Sequence, residues 1–303
     1  MAIVNTGSLA RALWPGVNAW VGLDYAELEQ QYKEVFSTYG SSKNYEIDVT
    51  FGPTGLLTVK PEGQNITYDD FMQGFSKLYE HTVFASGFIL TREEIDDNQY
   101  AELAQQRSKM LGRSARETKE NVASNVLNRA FNSSYTGADG LELCSTVHLL
   151  EKGGTYKNEL TTAADLSEAS LEQACIDIMD FRDGANKLMA AQPRKLIIPR
   201  ALSFEAERIL KSVLQNDSAQ NAINALRSKG VLPEGYRVNH YLTDTDAFFI
   251  MTNVPNGMKH FQRDSLEVKN DTDFDSENMK FKVRERYVFG WTDPRGIFGS
   301  PGA

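Results

Sequence analysis

The chain has 303 residues, of which 41% are hydrophobic and 24% are charged, and its formal net charge is −9 at pH 7. This length exceeds that of a usual single domain and predicts either two lobes or one domain with long excursions around a hydrophobic core. The net negative charge and the lack of a basic cluster in the sequence argue against a nucleic-acid-binding protein. Any contact with DNA should therefore be weak and indifferent to sequence.

Neither secretion nor membrane insertion is predicted. Residues 1–8 lack the basic stretch followed by an apolar stretch that a signal peptide requires. The longest apolar runs, such as residues 246–251, are too short to span a bilayer. The two cysteines, Cys144 and Cys175, fit synthesis in a reducing cytosol, and Cys175 stands among apolar residues as a buried thiol would.

Residues 1–45 are loosely organised, because glycines and a Trp14-Pro15-Gly16 turn interrupt them. Within them, residues 25–39 carry large apolar side chains at helical spacing, which predicts a helix. The side chains at this spacing belong to Tyr25, Leu28, Tyr32, Val35 and Phe36. Trp14 and Trp20 add aromatic surface that a lone subunit would expose, so we expect this arm to dock on a neighbouring subunit.

The following residues, to about 95, change to a pattern of short strands and turns. The strand candidates are residues 45–51, 56–59, 82–84 and 88–90. Glycines and prolines between them predict turns, so the stretch is interpreted as a long β excursion rather than a compact lobe. No long helix covers its large apolar side chains, which we therefore expect to contact another subunit. These residues are Phe51, Leu56, Leu57 and Phe71.

The strongest periodicity lies between residues 97 and 131. Apolar residues recur there at intervals of three and four without a proline, which predicts a helix roughly 50 Å long at 1.5 Å per residue. The apolar stripe consists of Tyr100, Leu103, Ala104, Leu111, Ala115, Val122, Val126 and Ala130. Arg113 with Glu117 and Arg116 with Glu120 stand four residues apart and predict ion pairs along the helix.

The C-terminal half mixes helices and strands without a steady β-α-β alternation, which predicts an α+β fold. The predicted helices cover residues 167–190, residues 203–215 with Ser203 as N-cap, and residues 221–227 closed by Gly230. The predicted strands cover residues 195–198, 236–241, 247–251 and 280–288.

Little in the sequence points to catalysis. It has no P-loop, dinucleotide-binding or GxSxG motif, and its four histidines are too scattered for a zinc site. Cys144 and His148 are four residues apart, but no third group orients them. We interpret their spacing as an accident rather than a nucleophilic dyad, and we expect no catalytic residue.

One acidic string has the beginning of a calcium loop. Asp271, Asp273 and Asp275 match the first, third and fifth positions of that loop. Ser276 stands where the loop needs glycine, and Lys282 stands where it needs a bidentate glutamate. The string is therefore interpreted as a solvated acidic turn, and neither a metal nor another cofactor is predicted.

A series of short motifs runs through the chain beyond residue 45. They are Tyr79–His81, Gly87–Glu94, Ala130–Asn132 at the end of the long helix, Thr136–Leu141, Ser145–His148, Ala169–Gln173, Leu196–Pro199 and Trp291–Ser300. In this order and spacing they resemble the major capsid proteins of tailed bacteriophages of the Hong Kong 97 type, and the Mu-like major head subunits in particular.

The resemblance implies an α+β fold with an N-terminal arm, an extended β-hairpin called the E-loop, a long spine helix, and peripheral and axial domains. On this chain we expect the arm in residues 1–45 and the E-loop region in residues 46–95. The peripheral domain with the spine helix should cover residues 96–165, and the axial domain residues 166–279. Residues 280–303 should return to the peripheral domain.

The function implied is that of a structural protein without enzymatic activity. It would be made in the bacterial cytoplasm and assemble as hexamers and pentamers into an icosahedral head shell around double-stranded DNA. A separate scaffold is expected, since the chain has no long charged N-terminal extension, with portal and decoration proteins as further partners. Lys60, in the E-loop region, is interpreted as an ordinary exposed lysine rather than a crosslinking one. The alternatives are a tail component and, with less support, a hydrolytic enzyme.

Overall fold

The computed structural model describes residues 19–23, 25–27, 29–52, 56–66, 68, 73–96, 100–214 and 223–303. Its strands in chain order are β1 (Ser37–Gly40), β2 (Tyr45–Phe51), β3 (Gln73–Glu80), β4 (Thr82–Leu90), β5 (His148–Leu149), β6 (Thr155–Tyr156), β7 (Pro193–Ile198), β8 (Tyr236–Val238), β9 (Phe248–Thr252), β10 (Met258–Thr272), β11 (Met279–Trp291) and β12 (Ile297–Ser300). The helices are α1 (Arg92–Asp96), α2 (Tyr100–Asn128), α3 (Glu168–Met179), α4 (Ser203–Lys211) and α5 (Ala225–Lys229). None of these helices is long and apolar enough to cross a membrane.

Two four-stranded sheets organise the described part of the chain. In the first, β10 and β11 form a long antiparallel hairpin, β4 lies antiparallel beside β11, and β1 lies parallel beside the start of β10. In the second, the strand order is β12-β9-β7-β8. The strands β2 and β3 form a separate antiparallel hairpin that leads into β4 through His81. This segregated mixture of sheets and helices is the predicted α+β class.

Helix α2 runs for 29 residues, about 44 Å at 1.5 Å per residue, and packs on β4 and β11. The long helix predicted from the sequence is therefore confirmed between residues 100 and 128, and residues 97–99 lie outside the described part. Its buried apolar side chains include Ala104, Leu111, Ala123 and Leu127. Val122, placed on the apolar stripe by periodicity, is only half-buried, because the helix turns Ala123 and Leu127 towards the core instead.

The buried apolar residues form distinct clusters. One cluster joins the first half of α2 to β4 and β11. A second joins the end of α2 to residues 32–36 and to the second sheet. A third fills the lobe formed by α3, α4, α5 and the second sheet. Full burial of a leucine, valine or phenylalanine contributes about 1.5–3 kcal/mol, so these clusters are the main source of subunit stability.

The helix predicted over residues 25–39 is wrong in its second half. A 3₁₀ turn covers Gln31–Glu34, and residues 37–40 form strand β1. The backbone of β1 pairs with β10 from Lys259 to Gln262. That pairing gives the segment a sheet partner, and local helical periodicity cannot anticipate such a long-range contact.

The end of the helix predicted over residues 167–190 also differs from the structure. Helix α3 starts at the capping box of Ser167 and Ser170 but ends at Met179 rather than at residue 190. It stops because the Asp183 carboxylate accepts the backbone N–H groups of Ala185 and Lys187, which closes a turn that competes with the helix.

The N-cap predicted for α4 is wrong, whereas the closing glycine predicted for α5 is confirmed. Ser203 is the first residue of α4 rather than its N-cap, because a 3₁₀ turn at Arg200–Leu202 leads directly into that helix. In α5, Asn224 caps the start, and Gly230 closes the end in a left-handed conformation with φ of 59°. Residues 56–59, predicted as a strand, belong to no strand in the described part of the chain.

Candidate assembly surface

The base of the β2–β3 hairpin is anchored to the first sheet by a chain of polar contacts that is buried except at the partly exposed Asp48. The Tyr79 hydroxyl lies 2.7 Å from Thr292 Oγ1, which in turn donates to the Asp48 carboxylate. Lys259 Nζ donates to the same carboxylate of Asp48. Burial raises the pKa of Tyr79 well above its ordinary value, so the hydroxyl stays protonated and acts as a donor. These bonds connect β2, β3, β10 and Thr292, the residue that follows β11.

Beyond the paired part of the hairpin, the chain exposes a run of large apolar side chains. Leu56 is 80% exposed, Leu57 is fully exposed and Val59 is 93% exposed. Ile66 and Tyr68 are also largely exposed. A lone soluble subunit rarely shows so many large apolar groups together, so this segment has the character of an interaction surface. Residues 56–66 are called the distal segment below.

The predicted intersubunit contacts fall in different places. Leu56 and Leu57 lie in the distal segment, and the backbone of Phe51 pairs with Gln73 at the end of the hairpin. Trp20 is partly buried against a core cluster of its own subunit. Trp14 and Phe71 lie outside the described residues. The contact roles of all six residues stay predictions.

The second half of the predicted arm is part of the subunit core. Tyr32, Val35 and Phe36 are each about 5% exposed or less and pack in the cluster at the end of α2. The backbone N–H of Tyr32 donates to Glu120 Oε2 at 2.9 Å. The Lys195 ammonium lies 2.8 Å from Glu34 Oε2, which ties the same segment to β7. The part of this segment around Tyr32, Val35 and Phe36 therefore packs inside its own subunit, whereas β1 pairs with β10 and stays exposed.

A buried ionic network lies between α2, β10, β11 and Tyr25, which precedes this segment. Lys119 Nζ lies 2.7 Å from Glu285 Oε1, and both side chains are almost fully buried. The Tyr25 hydroxyl and the Gln262 amide each donate to the same Glu285 oxygen at 2.9 Å. A buried carboxylate needs this number of donors, because water no longer solvates it.

Arg116 and Glu120 do not form the predicted ion pair along the helix. The Arg116 guanidinium donates to the backbone oxygen of Tyr25 at 2.8 and 2.9 Å, and Glu120 accepts from Tyr32. Burial raises the pKa of Glu120 from an ordinary 4.5 to about 7, although Tyr32 and Arg116 oppose that shift. The Arg113–Glu117 pair does form, with a separation of 2.8 Å.

The residues weighed for catalysis lie in places unsuited to it. Burial raises the pKa of the Cys144 thiol well above its ordinary value, so the sulfur stays protonated and a poor nucleophile. His148 Nδ1 lies 2.5 Å from Asp139 Oδ2, and its ring stacks on Tyr156 in the interior. Both positions are structural, with no opening through which a substrate could reach the thiol.

The acidic string spans the end of β10 and the turn that leads to β11. The Asp273 carboxylate forms an ion pair with Lys280 of β11. It does not join the carboxylates of Asp271 and Asp275 around a common metal position. Within the described residues, no group of three or more His, Cys, Asp or Glu side chains could hold a metal ion. Lys60 lies exposed in the distal segment.

The matching family and three similar solved structures all concern capsids or virus-like particles. A family model described as phage capsid protein matches residues 75–299. No curated protein matches the chain. Among solved structures, the virus-like particle from Pyrococcus furiosus is similar at 11% identity and a TM-score of 0.53, over 94% of this chain and 98% of that chain.

Two further structures have similar scores. The procapsid of bacteriophage JBD30 is 14% identical with a TM-score of 0.53, over 98% of this chain and 76% of that chain. The capsid of an empty GTA particle is 13% identical with a TM-score of 0.53, over 91% of each chain. At such identities the similarity concerns the fold alone.

Proposed function

The chain belongs to the phage capsid protein family, and from this premise we propose that the β2–β3 hairpin and its distal segment tie each subunit to a neighbour. The protein is a structural subunit of the phage head shell with the α+β Hong Kong 97-type fold, and copies of it associate into that shell. The capsid function expected from the sequence is confirmed. A tail component or a hydrolytic enzyme does not fit the family.

The observation that carries this proposal is the contrast along the hairpin. Its base is fixed by the Asp48 polar chain, whereas Leu56, Leu57 and Val59 beyond it are 80% exposed or more. A two-stranded ribbon is at best marginally stable in water and gains stability by lying on another surface. In an obligate assembly that surface is an adjacent subunit, with a total interface on the order of 2,000 Å² or more.

The test replaces residues 56–66 with a Gly-Ser linker of equal length. Circular dichroism should show a folded subunit, since these residues lie outside the hydrophobic clusters. Sedimentation should show no closed shells. A companion variant with Leu56→Asn, Leu57→Asn and Val59→Asn keeps the chain length and should fail in the same way. Normal shells from either variant would refute the proposal, as would an unfolded subunit from the linker variant.

The division of the chain into segments is proposed along the same lines. The arm covers residues 1–45, the E-loop region 46–95, the peripheral domain 96–165, the axial domain 166–279 and the return segment 280–303. Support comes from the third core cluster, which lies almost entirely within the axial segment, and from β11, which packs on α2 of the peripheral segment. Within the arm, residues 29–40 pack on their own subunit.

The finer assignments also remain proposals. The order of the sequence motifs supports a Mu-like head subunit that forms hexamers and pentamers, with separate scaffold, portal and decoration proteins and only non-specific contact with packaged DNA. The shell is proposed to be held without covalent links, since Cys144 and Cys175 are both free and buried. Boiled particles on a denaturing gel should run as one band near the monomer mass of 33.9 kDa, and a ladder of multimers would contradict this.

A further inference from the structure

The two edges of the first sheet differ in how they are protected. Strand β1 covers only the start of β10, and in the described part of the chain no strand covers residues 263–272 of β10. That open stretch carries five charged residues, and its pairing with β11 is interrupted by two irregularities on either side of Asp264. Charges and bulges are what proteins use to keep an edge strand from pairing with another chain.

The opposite edge, formed by β4, has none of these protections. Its nine residues contain no charge and no proline, and they pair with β11 in continuous register from Thr82 to Leu90. Val83 is 45% exposed and Ile89 is 48% exposed. No described strand lies on the outer side of β4. An uncharged, regular and exposed edge of this length is a template for an added strand.

Two contacts show which backbone groups of β4 point to this free edge. A Cβ atom on Gly87 would collide with the oxygen of Phe281 and lie 3.3 Å from Cα of Lys282, its partner on β11. Such close approach marks the narrow type of antiparallel pair, whose two residues do not bond to each other. The Arg107 guanidinium also reaches the oxygen of Ile89 at 2.7 Å, so that carbonyl points away from β11.

Because backbone direction alternates along a strand, the N–H groups of Val83, Ala85, Gly87 and Ile89 face the free edge. The carbonyl oxygens of the first three are also directed there, and Arg107 binds the fourth. The aromatic side chains of Phe84 and Phe88 stack on Tyr287 and Phe281 of β11. The opposite face of β4 therefore consists of small and aliphatic side chains.

We infer that the free edge of β4 receives residues 56–60 of a second copy of this chain as an added β-strand. This inference rests on the proposed function and names the surface that the distal segment occupies. Leu57 and Val59 alternate in a strand-forming sequence and are almost fully exposed. Their aliphatic side chains suit the face of β4 formed by Val83, Ala85, Gly87 and Ile89. The shell supplies a second copy at every contact.

The same subunit cannot supply this strand. The hairpin pairs Tyr45 with Glu80 at its base and Phe51 with Gln73 at its far end, and the distal segment lies beyond that end. From Gln73 to Leu90 the chain runs through β3 and β4 without a turn at His81. At about 3.3 Å per residue, the length of β3 places its first residue, Gln73, roughly 25 Å from the start of β4. The distal segment is thus directed away from its own β4.

Hydrogen exchange on the wild-type chain, free and assembled, tests the pairing at single residues. In the free subunit the amides of Ala85 and Gly87 should exchange fast, whereas those of Phe84, Ser86 and Phe88 should already be protected by β11. On assembly, exchange at Ala85 and Gly87 should slow by about 100-fold or more. Unchanged exchange at these two amides in closed shells would overturn the inference.

A proline substitution provides the second test. Ala85→Pro removes an outward N–H without removing a bond to β11, so the subunit should fold but form no shells. Ala85→Val keeps that N–H and should assemble normally. If Ala85→Pro assembles as wild type, the β4 edge is not the receptor, although the distal segment still contacts another surface. If the Gly-Ser linker variant assembles normally, the proposed function itself fails. Should Ala85→Pro not fold, the hydrogen exchange result decides.

Discussion

Residues 29–40 and the distal segment invite comparison, because both are loosely patterned and rich in large apolar side chains. The first places Tyr32, Val35 and Phe36 inside its own subunit. The second leaves Leu56 and Leu57 in solvent. Apolar content alone therefore does not distinguish a segment that completes a subunit from one that joins two subunits. What distinguishes them is a partner surface in the same chain, which α2 offers to the first segment and nothing described offers to the second.

Truncation of one side chain in each segment should show the difference in their contribution to subunit stability most clearly. Phe36→Ala leaves a cavity in a packed cluster and should cost about 4 kcal/mol of subunit stability. Leu57→Ala should change it by less than about 0.5 kcal/mol, since the side chain is fully exposed. Urea unfolding of the unassembled subunits measures both. Equal losses would mean that the two segments do not differ in the way described here.

The ionic network around Glu285, beside the first segment, gives the next largest effect. Lys119→Met leaves the Glu285 carboxylate buried with only the neutral donors of Tyr25 and Gln262, which should cost about 3 kcal/mol. Adding Glu285→Gln removes the uncompensated charge and should recover much of that loss. Chemical denaturation of the single and double variants checks this. A double variant no more stable than the single one would show that the charge is not the cause.

The polar chain at the hairpin base should matter less to the subunit and more to assembly. Asp48→Ala removes the acceptor shared by Lys259 and Thr292, at a cost of about 1–2 kcal/mol, because the Asp48 carboxylate is partly solvated. The hairpin should then lose its fixed direction, and the yield of closed shells should fall more than subunit stability does. Sedimentation and thermal melting, measured on the same preparation, separate the two effects. A normal shell yield would show that the base does not orient the distal segment.

A pH dependence at Glu120 gives a further test. Its pKa is raised from 4.5 to about 7 in the folded state, so the folded subunit holds this proton more tightly than the unfolded chain does. Stability contributed by this group is therefore present below about pH 4.5 and is lost as the pH rises to about 7. Glu120→Gln should remove this slope from a pH series of unfolding midpoints, and Glu117→Gln, on the exposed side of α2, should leave it. An unchanged slope in Glu120→Gln would place the titration elsewhere.

Much of the candidate assembly surface could be proposed from the sequence, although the polar contacts at the base of the hairpin could not. Leu56 and Leu57 stood out because no helix near them in the chain could cover them, and they are exposed. Asp48 and Lys259 are 211 residues apart, and Thr292 is farther still, so no spacing rule could join them. The β4 edge was also hidden, because residues 82–84 and 88–90 suggested two short strands on either side of Gly87.

The sequence by itself determined the elements whose signal is local: the strand β2, the body of α2, the glycine that closes α5, and the order of motifs that resembles phage capsid proteins. Only the tertiary structure decided what covers each apolar face. Arg116 and Glu120 have the spacing of a surface pair, yet a segment that crosses α2 buries both and redirects their hydrogen bonds. The physical reason is that periodicity records which side chains share a face, whereas the surface packed on that face comes from residues distant in the chain.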